Sequence, residues 1–507
     1  MTTRGYNTYG KILGALGGAA VLLTLTSPPR LAAPASLAAS LSAATAPASA
    51  TAPASATAPA GGVVSPVTQV SHCPGQNAEV ETATSAPHYV YDLWIGCGGI
   101  GFARSTDGGL HFGKSMTAPG SAGFSWDPAI TVSPAGAVYL SFMHQAHHQM
   151  YPVVDASFDY GVSFPQVSAL RPPKAGNWGD RDFIAVNQQG WVYVTWDYGP
   201  SAALVKLLCS KSGSCAYKAG DLNAVIQRSL DGGGTWGPIT PLGPNFPRNG
   251  GYSAPVLTGP KDQVSALIWG HQVSKPPSYA LHPGHEFFTT SADGGTNWPE
   301  HPVEVDPGAG AIALPTWWID GDLGQDQGGN LYATWDTQTP AGDIGWLASS
   351  PPGGTSWSKP VQVTPAHNNA VHIVEVLGGP PGIAYVAWQT DGPTAGYATY
   401  LRAYSVSTGW LGPRIQVSAK FGNRRIWPGD TFGIAHVPGG PGTRLALSWG
   451  SAIPRHKNSL IYAAVVSLPT ATVWPAAAIS PALVAHGHAA AAAVGPRRLL
   501  RPCDLER

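Results

Sequence analysis

Ser105-Thr106-Asp107-Gly108-Gly109-Leu110-His111-Phe112 decides the fold, because its spacing returns along the chain. The pattern Ser-x-Asp-x-Gly-x-x-aromatic recurs at Ser157, Asp159, Gly161 and Phe164, at Ser229, Asp231, Gly233 and Trp236, and at Ser291, Asp293, Gly295 and Trp298. Two decayed copies follow: Ser350, Pro352, Gly354 and Trp357, where proline replaces the aspartate, and the shortened Ser405, Ser407, Gly409 and Trp410. The spacing has a physical reason. Ser and Asp side chains accept hydrogen bonds from turn amides, Gly supplies the positive φ of a tight hairpin, and the aromatic ring can fold back between neighbouring sheets. Successive boxes lie about 50–70 residues apart, a period that fits one propeller blade with long loops.

The flanking sequence completes the unit. A strand-like run precedes each box: Ile100–Arg104, Tyr151–Ala156, Ala224–Arg228, Glu286–Thr290, Ile344–Ala348 and Tyr400–Ala403. Two further runs lie upstream of most boxes, such as Ala129–Val132 with Val138–Phe142, Phe183–Val186 with Trp191–Trp196, and Ile434–Val437 with Leu445–Trp449. Three runs plus the one after the box make a four-stranded antiparallel blade. Inner strands are expected to start near Glu79, Asp127, Asp182, Ser253, Asp322, His372 and Thr431, which gives seven blades, with six the alternative. The last of these has a third strand, Leu460–Val466, and no fourth. Val63–Val70 can supply it, closing the ring and removing exposed sheet edges. The expected fold class is all-β, a single β-propeller.

Composition agrees. The 507 residues include 63 glycines, 48 prolines and 18 tryptophans, which suits short strands, tight turns and rings wedged between sheets. The 28 Lys and Arg balance 28 Asp and Glu with no basic block, so there is no electrostatic footprint for nucleic acid.

Residues 1–35 read as a signal peptide: Arg4 and Lys11 precede an apolar run from Ile12 to Thr26, and Ala33-Pro34-Ala35 is one of several cleavage contexts. The run is short for a membrane span, so no span is expected after cleavage; an uncleaved anchor is the alternative. Residues 36–61, with their Thr-Ala-Pro-Ala-Ser-Ala repeat, form a semi-extended linker, residues 62–467 the propeller, and residues 468–507 an Ala/Pro-rich tail expected to be disordered. A secreted location and a monomer are expected. Cys209 and Cys215 can close a small loop disulfide and Cys73 can pair with Cys97, while Cys503 is left over; free thiols are the alternative. Cys209 and Cys215 lack the second pair that a zinc ribbon needs.

On its boxes the chain resembles the Asp-box (BNR-repeat) proteins of the sialidase superfamily over residues 62–467. The resemblance implies a β-propeller and glycan-related work outside the cytoplasm. It also implies that Asp107, Asp159, Asp231 and Asp293 are structural, because in that superfamily the boxes lie away from the active centre. Sialidases carry an Arg-Ile-Pro motif, three carboxylate-binding arginines, a Tyr-Glu pair and an Asp acid. This sequence has no Arg-Ile-Pro; the nearest string is Arg425-Ile426-Trp427, in the last blade. The family's catalytic residues therefore do not carry over one by one, and fold alone does not assign the activity.

Loops leading into the inner strands converge around the channel of a propeller. Here they read Ser125-Trp126-Asp127, Trp178-Gly179-Asp180-Arg181-Asp182, Gly251-Tyr252-Ser253, Trp317-Trp318-Ile319-Asp320-Gly321-Asp322 and Trp427-Pro428-Gly429-Asp430. Sugar rings stack on indoles and carboxylates accept their hydroxyls, so these residues are the candidate ligand-binding set. The bland alternative is that each Trp packs between blades and each Asp caps its own turn. Arg171, Arg181, Arg248, Arg424 and Arg425 are candidates to grip a carboxylate or sulfate, or are ordinary surface arginines. Asp180, Asp182, Asp320, Asp322 and Asp430 are the acids available for hydrolysis, with Asp182, Asp322 and Asp430 the leading catalytic candidates, provided that two flank a scissile bond. His144, His147 and His148 crowd one loop and more simply make it polar; no metal ligands are assigned. No cofactor is expected, although Asp320–Asp326 faintly suggests calcium without the length or closing acid of an EF-hand loop.

The leading expectation is a secreted propeller that binds a glycan or other polyhydroxylated ligand at the channel mouth, without assigned catalysis. An exo-acting, sialidase-like glycoside hydrolase and a protein-interaction scaffold are the alternatives.

Overall fold

Every box hairpin is preceded by three strands that pair antiparallel, and the pattern repeats until it meets its own beginning. The computed structural model describes residues 62–202, 206–209, 215–218, 223–242, 251–252, 254–273, 281–306, 321–339, 342–363, 371–392, 396–419, 428–429, 431–439, 442–452 and 458–468. Blade 1 pairs Ala78–Ser85, Tyr89–Gly96, Gly99–Ser105 and Met116–Thr117. Blade 2 comprises Phe124–Val132, Val138–Ala146, Gln149–Ser157 and Gln166–Ala169, and blade 3 comprises Trp178–Val186, Val192–Gly199, Asn223–Ser229 and Thr240–Pro241. Blade 4 has a split inner strand, Gly251–Tyr252 and Val256–Thr258, followed by Val264–Val273, Leu281–Ser291 and Val303–Glu304. Blade 5 runs Asp322–Gln325, Leu331–Thr339, Gly342–Ser350 and Val361–Gln362; blade 6 runs Val371–Gly378, Ile383–Gly392, Gly396–Ser405 and Gly409–Gln416. A small extra hairpin, Lys206–Cys209 with Cys215–Lys218, projects between the second and third strands of blade 3, with Cys209 and Cys215 in register.

Blade 7 joins the two ends of the propeller. Its strands Gly433–His436, Thr443–Ser451 and Leu460–Leu468 are completed by Val63–Val64 and Thr68–Gln69, which pair with the third strand. The protein is thus a seven-bladed propeller of four-stranded antiparallel sheets, and a single 3-10 turn, Pro119–Ser121, is its only helical element among the described residues. The inner strands of successive blades neighbour one another around a full cycle, blade 7 against blade 1 included. Close approach at that seam demands glycine: a Cβ on Gly429, whose φ is +112°, would fall 2.1 Å from the backbone nitrogen of Glu79. Cys73 and Cys97, joined by a disulfide, tie the segment before blade 1 to the blade's second turn.

A ring of aromatics fills the body of the propeller. Each second strand carries one at the level where the inner strand begins or bulges: Trp94, Phe142, Trp196, Trp269, Trp335, Trp388 and Trp449, all buried. In four blades the residue just before that ring donates a hydroxyl hydrogen bond across to the next blade. Ser141 reaches Asp182, Thr195 reaches Ala254 O, Thr334 reaches Val374 O at 2.8 Å, and Ser448 reaches Asp92 Oδ2 at 2.8 Å. Packing volume and directional latches therefore act at one level of those four interfaces.

Two inner strands start earlier than their sequence suggests. Trp126 and Asp127, and likewise Trp178 to Asp182, lie inside strands Phe124–Val132 and Trp178–Val186 rather than in loops before them. The reason is a bulge in each, between Trp126 and Ala129 and between Asp180 and Phe183. An extra residue breaks the two-residue alternation on which a strand is recognised.

Candidate functional site

Antiparallel order gives the propeller two distinct ends. The chain enters each inner strand at one end, here the lead-in end, where the second-to-third-strand turns also lie; the boxes occupy the third-to-fourth-strand turns at the other.

At the box end each aspartate serves its own hairpin. Asp159 Oδ1 accepts hydrogen bonds from Ser157 Oγ at 2.8 Å and from the amides of Val162 and Ser163 at 3.0 and 2.9 Å. Asp107, Asp231 and Asp293 are bonded in the same way to Ser105, Ser229 and Ser291 and to the amides that follow. These bonds favour the ionised form, and hold Asp159, Asp231 and Asp293 down at about 2; the Ser163 hydroxyl is the main cause at Asp159, and the Thr235 and Asn297 amides at the others. The box aromatic packs on the preceding blade: Phe164 sits edge-on to Phe102 at 5.0 Å, and Trp357 lies 5.4 Å from Phe288. Trp357 does so although its box has lost the aspartate, so the packing role outlasts the turn role.

At the lead-in end the inner strands of blades 1, 2 and 3 place a non-glycine residue in the left-handed region at the bulge: Glu79 (φ +50°), Asp127 (φ +49°) and Arg181 (φ +51°). Such a bulge re-aims side chains at the rim of a sheet. Here it locks blade 2 to blade 3, since Asp127 Oδ2 accepts the Arg181 amide and Asp180 Oδ1 accepts Trp126 Nε1, both at 2.7 Å. Trp126 and Trp178 are buried, and the Trp126 indole sits at the blade 2–blade 3 interface through that bond. Asp182 is 3% exposed and takes the Ser141 hydroxyl; burial pushes its carboxyl well above the ordinary range. Asp322 accepts the amides of Leu323 and, from blade 6, Val376, and burial raises it too. Asp326, at the far end of the acidic stretch that begins at Asp320, accepts hydrogen bonds from Gly328, Asn330, Tyr332 and Gly382. Tyr252 is placed by its backbone opposite Trp269. Arg248, Trp317, Trp318, Asp320, Arg424, Arg425, Trp427 and Asp430 lie outside the described residues.

Blade 2 gathers a group that its scattered sequence positions concealed. Ser125 Oγ and His144 Nδ1 are 2.9 Å apart, the His144 ring meets Tyr151 edge-on at 5.7 Å, and the Arg171 guanidinium lies over the Tyr151 ring at 5.3 Å. Phe124, half-buried one residue before Ser125, packs tilted at 4.9 Å against Trp126, on the opposite face of the strand from Ser125. Burial, reinforced by the Arg171 charge, lowers the pKa of His144, so the imidazole stays neutral and can accept as well as donate. Arg171, Lys174, His147 and His148 are exposed around it. Asn177 fastens the following segment by bonding both backbone groups of Met150. His144, His147 and His148 do not converge on a common point; among the described residues the group close enough to share an ion is His285, Glu304 and Asp306, on blade 4.

No family profile matches the chain, and no curated protein does. Solved structures share the fold. A polysaccharide lyase of the ulvan lyase type superposes with a TM-score of 0.52 at 11% identity, over 79% of this chain and 96% of that one. The NanB sialidase of Streptococcus pneumoniae gives 0.45 at 9% identity over 74% and 83% of the two chains, and the Penicillium chrysogenum α-L-arabinanase 0.44 at 11% over 80% and 98%. At these identities the likeness shows the β-propeller fold and no more.

Proposed function

We propose that the protein is secreted and binds a carbohydrate on its lead-in end, beside the bulged strands of blades 2 and 3, with acidic sugars preferred. The observation that carries this reading is the blade 2 group: a neutral imidazole paired with the Ser125 hydroxyl and an exposed Arg171 guanidinium beside it, brought together from three separate segments. The imidazole can exchange hydrogen bonds with hydroxyls, and arginine binds carboxylate or sulfate in a fork. The ulvan lyase with the same fold was seen bound to GlcA(1-4)Rha3S, which is in keeping with an acidic saccharide here. The N-terminal apolar run and the Cys73–Cys97 disulfide support export to an oxidising compartment.

A glycan array followed by calorimetry tests the reading. Retention of uronate- or sulfate-bearing oligosaccharides is expected, with Arg171→Ala weakening them about tenfold, roughly 1.4 kcal/mol. No retained sugar, or equal affinity in Arg171→Ala, sinks it. Incubation of the retained sugars with the protein separates binding from hydrolysis.

A further inference from the structure

Blade 4 sets three metal-ligating side chains on one face of its two outer strands, away from the blade 2 group. The ladder pairs Phe287 with Glu304 and Phe288 with Val303, and the Val305 amide donates to Glu286 O at 2.8 Å. Continued by two residues, that register sets Asp306 opposite His285. Strand alternation then puts His285, Glu304 and Asp306 on the same face. His285 Nδ1 lies 3.2 Å from Glu304 Oε1 and 3.3 Å from Asp306 Oδ2, and the three donor atoms lie within 4.8 Å of one another.

Two features distinguish the group from an ordinary surface ion pair. Asp306 is 1% exposed, and neither of its carboxylate oxygens accepts a hydrogen bond among the described residues. His285 Nδ1 is also buried; it touches both carboxylates and meets hydrogen-bond geometry with neither. A buried carboxylate left in that condition is costly, and two carboxylates on one face repel. A single ring proton can serve one oxygen at a time. A cation shared by the three atoms would offset that cost, and the two separations from His285 Nδ1, 3.2 and 3.3 Å, match edge lengths of a coordination shell with metal–ligand distances of about 2.0–2.2 Å.

We propose that His285, Glu304 and Asp306 bind one divalent transition-metal ion, zinc in the first instance. One imidazole nitrogen and two carboxylates suit zinc or manganese; calcium takes about six to eight oxygens. Three protein ligands leave a position for water or a ligand oxygen. The group stands at the lead-in end, where the fourth strand of blade 4 ends. This inference does not depend on the carbohydrate reading.

The test is calorimetric titration of zinc chloride into the full-length chain, stripped with a chelator and desalted, at about pH 7.5, where neutral imidazole and carboxylate are both available. One tight equivalent is expected, with calcium weaker. His285→Gln and Asp306→Asn are expected to lose at least the about 10–100-fold that even outer-shell substitutions cost at metal sites. Glu304→Gln, at the exposed member, keeps the test open if a buried substitution fails to fold. Absence of zinc uptake overturns the proposal, as does unchanged zinc affinity in both Glu304→Gln and a folded His285→Gln, which would put the ion on other histidines.

Discussion

At the box end, Asp159, Asp231 and Asp293 are held near 2 by the hydroxyls and amides of their own turns; in the body of the propeller, burial pushes Asp92 up to about 7 and Asp155 to about 6. The residue type is the same and the ledger is reversed. A box carboxylate keeps its water and adds donors, so ionisation is favoured in the folded state. Asp92 loses all its water and receives only the hydroxyls of Thr82 and Ser448, which offset part of the desolvation. The consequences for pH are opposite. The boxes add stability that is present above about pH 4 and lost as pH falls through about 2. Asp92 and Asp155 add stability that is present below about pH 4 and lost as pH rises towards about 6 and 7, because the unfolded chain then holds fewer protons than the folded one.

If the aromatic ring and its latches hold the blades together while the boxes only close hairpins, the largest effect belongs to the body. Trp335→Ala is expected to lower unfolding stability by about 3–5 kcal/mol in urea titrations, and a loss under about 1 kcal/mol would break the contrast. Next comes the pH response. The urea midpoint should rise as pH falls from about 8 to about 5, and Asp92→Asn, which preserves shape and an acceptor, should flatten that slope by an amount bounded at about 3 kcal/mol over this range. A slope unchanged in Asp92→Asn would move the effect to another buried acid. The smallest change is expected at a box: Asp231→Ala removes the acceptor of the Thr235 amide, the Thr235 hydroxyl and the Ser229 hydroxyl, for about 1 kcal/mol. A loss as large as that of Trp335→Ala would make the box, not the ring, the main clasp of the blade.

Much of this was legible in advance. Spacing of the boxes announced a blade, and the missing fourth strand after Leu460–Val466 announced that the N-terminus would close the ring, as Val63–Val64 and Thr68–Gln69 do. The aromatic ring was also there to be read, at Trp94, Trp196, Trp269, Trp335, Trp388 and Trp449, once second strands are aligned. Of the acids and indoles expected at the lead-in end, the described Trp126 and Trp178 are buried, and Asp127, Asp180 and Asp322 are tied to neighbouring blades.

Sequence by itself determined the repeat, the period and the self-contained turn chemistry of the boxes, because each of those is settled within a dozen contiguous residues. Tertiary structure alone decided where the bulges fall, which acids lose their water, and that Ser125, His144, Tyr151 and Arg171, or His285, Glu304 and Asp306, come to face one another. Those outcomes depend on register between strands and on contact between blades, and a one-residue slip in either would turn every side chain concerned to the opposite face.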